Sequence, residues 1–171
     1  MSNTVNVKTA DRRKLHFDTL DEIVADAEAV TDGGETDPTV TGNWTAAQII
    51  YHVAFTIGMA NRGIDLQIPL PMRLFGKTLK LFGMHTKTFN PGIKPPPKVA
   101  AAFAPPEGTT LDAAMQKLRD EVAYAKEHGM THPSPLFGRL THDEWIQVNC
   151  RHAELHFGFI RAEASREGQK E

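Results

Sequence analysis

No charged residue falls between Asp37 and Arg62, and wound as a helix this stretch is apolar on nearly every side. Ile49, Ile50, Val53, Phe55 and Ile57 leave little room for a wet face. Such a segment must be enclosed, either by other elements or by lipid. It is long enough to span a bilayer, yet Asn43, Thr45, Gln48, Tyr51, His52 and Thr56 would all have to be hidden there. A buried core helix is the better fit. It begins near Trp44, with Thr45 and Gln48 as a capping box, and runs towards Asn61. No stable membrane insertion is expected.

A central helix needs partners, and three other segments supply them. Leu20, Ile23, Val24 and Ala27 repeat at amphipathic spacing between about Thr19 and Val30, with Thr19 and Glu22 as a capping box and Gly33 and Gly34 as the stop. Leu111, Met115, Leu118, Val122 and Ala125 alternate four- and three-residue steps, started by Thr109 or Thr110 and ended by Gly129. The last helix opens at Thr141 with Glu144 three residues on. It continues through Trp145, Val148, His152, Leu155, Phe159 and Ile160. Strand signals are poor throughout. The expectation is an all-α four-helix bundle, one domain over 1–171 with flexible tails at 1–10 and 165–171.

The connection between the second and third of these helices departs from a plain bundle. Residues 66–106 hold no acidic residue and six basic ones, Arg73, Lys77, Lys80, Lys87, Lys94 and Lys98. The remainder carries 13 basic and 21 acidic residues, a net of −8. Pro71 opens a short helix with Leu70, Leu74, Leu81 and Phe82 on one side and Arg73, Lys77 and Lys80 on another. Pro91, Pro95, Pro96, Pro97, Pro105 and Pro106 then exclude continuous helix. A long, proline-stiffened crossing of this kind serves a function or flexes. An overall charge of −2 gives no reason to expect nucleic acid as a partner. One cysteine, Cys150, excludes an internal disulfide or a multi-cysteine metal site, and the cytoplasm is the expected compartment.

Eight histidines remain to be explained. His152 and His156 sit one turn apart on one face of the last helix, the spacing at which a helix offers two nitrogens to one metal ion. That face also carries Trp145, Asn149 and Phe159. His52 lies midway along the second helix. If both faces point inward, three imidazoles meet. Buried neutral rings bring six ring nitrogens that need partners, and each one left unpaired costs about 1–3 kcal/mol. A shared divalent ion satisfies three of them, leaving the outer three for acceptors such as Gln48 or Asn149. The run His152-Ala153-Glu154-Leu155-His156 is not a metalloprotease motif, because Glu154 points about 200° away from His152. Cys150 reads as a packed residue and His132 as a pocket-mouth or loop residue. His16, His85, His128 and His142 read as loop or helix-end positions. No carboxylate can be assigned as a general base, so the catalytic residues stay open.

These residues also carry a resemblance. Asn43-Trp44-Thr45, Gln48 and His52, with the distant Arg151-His152-x-x-x-His156, are similar to the DinB-like (YfiT-like) superfamily. Arg12-Arg13-x-Leu15-x-Phe17 and the run from His132-Pro133 through Phe137-Gly138 to Glu144-Trp145 resemble one bacterial branch of unknown function, over nearly the whole chain. The resemblance implies an up-down-down-up four-helix bundle, often a homodimer. It implies a divalent metal, zinc or nickel, on His52, His152 and His156. Relatives include thiol-dependent transferases and some hydrolases, so the expected activity is a metal-dependent thiol transferase or hydrolase acting on a small molecule. The alternative is a non-catalytic, metal-stabilised ligand-binding or interaction module.

Overall fold

The structure, a computed structural model, describes residues 4–35, 37–83, 87–92 and 95–161. His85, Lys94 and the 165–171 tail lie outside these ranges. Among the described residues the fold is helical, with six α-helices and one small sheet. The helices are α1 (Leu20–Thr31), α2 (Ala46–Arg62), α3 (Leu70–Leu81), α4 (Pro97–Phe103), α5 (Leu111–His128) and α6 (His142–Phe157).

The starts of the long helices follow from capping chemistry. Thr19, Thr45 and Thr141 each accept from the backbone N–H three residues on, and Glu22, Gln48 and Glu144 reach back to the cap backbone. Thr110 caps α5 with its hydroxyl alone. At the far ends, α1 stops at Asp32 in the left-handed region, while α2 and α5 stop at Gly63 and Gly129.

The enclosed helix is α2, which packs against α5 and α6; α1 packs on the same two helices. Ile50, Val53 and Ile57 of α2 have no solvent exposure, nor do Ile23 of α1, Met115 and Leu118 of α5 or Phe157 of α6. Each such side chain contributes roughly 1.5–3 kcal/mol by leaving water, and together they fix α2 at the centre. No helix of the described residues is long and apolar enough to cross a membrane.

The end of α6 corrects an expectation. The apolar pattern extends to Ile160, but the helix stops at Phe157 and Ile160–Arg161 forms a strand, β2, antiparallel to β1 (Thr39–Val40). The reason is tertiary. Gly158 passes so close to the Arg13 carbonyl that an added Cβ would lie 3.1 Å from it, and Thr41 donates its N–H to the Phe159 carbonyl at 2.9 Å. Arg13 holds the same corner, with a bidentate bond to Asp26 at 2.8 and 2.7 Å and a bond to the Ile160 carbonyl at 2.8 Å.

The long crossing contains two helices. One, α3, is the segment opened by Pro71; the other, α4, begins at Pro97, where a proline suits the first turn. Val99 is the buried anchor of α4. That anchoring places the end of α4 over α2.

Candidate metal centre

Two helices supply the rings of the centre. The middle of α2 provides His52, and the last turns of α6 provide His152 and His156 at the i, i+4 spacing that aligns side chains on one face. The three rings converge, with centroids 5.0 Å apart for His52 and His152, 4.6 Å for His52 and His156, and 4.5 Å for His152 and His156. One nitrogen from each lies within 4.8 Å of the other two, and among the described residues no carboxylate or thiolate belongs to the cluster. Tetrahedral ligation at zinc–nitrogen bonds near 2.0–2.1 Å separates neighbouring nitrogens by roughly 3.4 Å. The Nε2 atoms of His52 and His152 are 3.2 Å apart.

The outer nitrogens of His52 and His152 have partners. His52 Nδ1 lies 2.8 Å from the Phe103 carbonyl, which can only accept, so Nδ1 carries the hydrogen and Nε2 presents a lone pair. His152 Nδ1 lies 3.1 Å from the Thr56 hydroxyl, which gives its single hydrogen to the Val53 carbonyl at 2.8 Å. With the hydroxyl so used, Nδ1 of His152 donates and its Nε2 too presents a lone pair. With that rotor two lone pairs face each other across 3.2 Å; with the hydroxyl donating to His152 Nδ1 instead, the same two nitrogens share a hydrogen bond. A cation between them would resolve the repulsion, and a donor set of three neutral imidazoles suits a divalent ion of the zinc or nickel type. The residues fit the group that the sequence led one to expect.

Burial keeps the rings in this ligand form. It pushes the proton affinity of His52 down, against the opposing effect of the Phe103 carbonyl. His152 is driven well below the usual imidazole range by burial, then by the neighbouring His156 and His52. His156 falls to about 3, mainly through burial and then through His52. Trp44 covers the cluster, stacked on His156 with centroids 5.8 Å apart at 14° and tilted over His52 at 4.9 Å. The Phe103 ring closes another side, edge-on to His52 at 6.4 Å.

The other expected residues have different places. Gln48 belongs to the α2 capping box, its side-chain oxygen on the Thr45 N–H at 3.0 Å. Asn149 is buried and donates to the Trp145 carbonyl and towards Met130 Sδ. Trp145 is a core residue whose Nε1 donates to the His132 carbonyl at 2.9 Å, and His132 itself is exposed beside Gly63. Phe159 leaves the histidine stripe because α6 ends before it. Glu154 faces elsewhere, accepting from the Phe17 N–H and pairing with Arg151. The Cys150 thiol is buried, its pKa pushed up to about 12, so it is no nucleophile.

Phe103 and Thr56 thus stand at the ring nitrogens where Gln48 and Asn149 were expected, and Trp44 covers the rings. Thr56 had a signal in the sequence, since it follows His52 by one helical turn. The Phe103 contact had none, because a backbone carbonyl acts without regard to side-chain type. Trp44 marked only the start of the second helix.

A family described as a protein of unknown function (DUF1569) matches residues 9–163, and the chain belongs to that family. No curated protein and no solved structure matches it.

Proposed function

We propose that this member of the DUF1569 family binds a divalent metal ion, zinc or nickel, on His52, His152 and His156, and uses it on a small-molecule substrate. The observation that carries the reading is the convergence of the three imidazoles, with one nitrogen of each within 4.8 Å of the others and the Nε2 atoms of His52 and His152 3.2 Å apart. Packing of α1 and α2 against both α5 and α6 supports the finer assignment to a DinB-like, up-down-down-up four-helix bundle.

Held by three neutral ligands, such an ion would acidify a bound water or thiol towards neutral pH. The chain's own residues do the rest. Phe103 and Thr56 hold the tautomers of His52 and His152, while Trp44 and Phe103 give the cluster aromatic walls that limit water.

The test is turnover by metal-loaded protein. Conjugation of a low-molecular-weight thiol to a small electrophile, lost on chelation and in His52→Ala, supports the reading. A second reading, a metal-stabilised module without chemistry, follows from the same ligand set. It predicts a melting temperature raised by metal with no turnover of thiol-conjugation, ester or amide substrates.

A further inference from the structure

The helix α3 faces the wrong way for an ordinary surface helix. Its tightest contact is Gly76, where an added Cβ would lie 2.2 Å from the Leu136 carbonyl, and Leu79 packs beside it on the core. Leu70, Leu74, Phe75 and Leu81, with Phe82 just beyond, are all more than half exposed, and Leu81 reaches 84%. The only other large apolar side chain exposed among the described residues is Val5, at 39%. At about 100° per residue those five side chains fall within an arc of roughly 140°. A soluble helix turns such an arc inward.

The edge of the arc is basic. Arg73, Lys77 and Lys80 follow one another along it, with no acidic residue anywhere between 66 and 106. Lys80 is tied to Glu144 and to the Arg139 carbonyl, whereas Arg73 and Lys77 form no ion pair among the described residues. An apolar arc of leucine and phenylalanine with a cationic margin matches an interface whose interior is hydrocarbon and whose rim is anionic. A second copy of the chain matches less well. Two-fold antiparallel pairing of α3 would set basic edge against basic edge, and no other large apolar patch on the described surface could receive it.

We propose that α3 docks the protein onto an anionic lipid surface, lying in the interface plane with Leu70, Leu74, Phe75, Leu81 and Phe82 in the acyl boundary and Arg73 and Lys77 among the headgroups. This is peripheral attachment, compatible with the lack of a spanning helix. It does not depend on the metal reading.

Co-sedimentation of the full chain with vesicles tests it, comparing phosphatidylcholine alone with phosphatidylcholine containing phosphatidylserine. Binding is expected only with the anionic lipid and weakens with added salt. Each of Arg73→Glu and Lys77→Glu lowers partitioning about fivefold or more. Phe75→Ser with Phe82→Ser abolishes it and leaves the melting temperature unchanged, since both rings are exposed. Three results would overturn the proposal: no binding to the anionic vesicles, binding that survives Phe75→Ser/Phe82→Ser, or self-association in solution that the same pair of substitutions removes. The last would assign the face to a second copy.

Discussion

The Thr56 hydroxyl sits 3.1 Å from Nδ1 of His152 while giving its hydrogen to the Val53 carbonyl. A side chain one turn from His52 on α2 therefore decides which nitrogen of a ring on α6 carries the proton. Turned the other way, the hydroxyl would donate to Nδ1, and His152 would offer an Nε2–H to His52 instead of a lone pair. The rotor therefore lets the ring pair stay hydrogen-bonded without a cation and open for one.

Removing that rotor weakens the centre without touching a ligand. Thr56→Val deletes the acceptor, and divalent-metal affinity should fall roughly 10–100-fold in a competition titration against a chelating indicator. Thr56→Ser should restore most of it. Equal affinity in all three proteins would mean that Thr56 does not set the tautomer.

The crossing segment carries a second such effect. Val99 is the buried residue of α4, and Phe103 at its end supplies the carbonyl bound by His52. Val99→Asp places a charge in an apolar seat and should detach α4. The expected outcome is at least a tenfold loss of metal affinity with the circular dichroism of the remaining helices retained.

Trp44 provides a direct spectroscopic handle. Its ring stacks 5.8 Å from that of His156, so nickel addition should quench its emission through the shared contact. Trp44→Phe should remove most of the metal-dependent change, leaving only the signal from Trp145. A quench of the same size in Trp44→Phe would place the ion elsewhere.

Acid should destabilise the chelated protein in a defined window. All three rings hold protons less readily in the fold than the usual value of 6.5, His156 only near 3. Below about pH 6.5 the unfolded chain takes up protons that the folded one refuses, so the unfolded state binds more and stability rises with pH. This contribution is whole above about 6.5 and is lost as the pH falls towards about 3. Melting temperatures of chelated protein should already decline between about pH 6.5 and 5, above the range of ordinary carboxylates. A flat profile there would contradict rings that the fold keeps neutral.

Much of this was legible in residue order. The capping boxes at Thr19, Thr45 and Thr141 use local side-chain chemistry, and the heptad-like spacing of Leu111, Met115 and Leu118 needs no tertiary knowledge. The meeting of His52 with His152 and His156 was expected on the condition that both helix faces turn inward. What escaped was set by long-range geometry. A strand of two residues is too short to show alternation, so Ile160 read as helix until Val40 claimed it. Seven helical residues after Pro96 are masked by the prolines around them. The outward turn of α3 depends on Gly76 meeting the Leu136 backbone, a contact no periodicity announces.

The central claim is tested most directly by elemental analysis of untagged protein purified without added metal, beside His52→Ala prepared identically. The account predicts about one zinc or nickel per wild-type chain and a near-complete loss in the variant. Wild-type protein that carries no divalent metal, and takes up none when zinc and nickel are supplied, would contradict it.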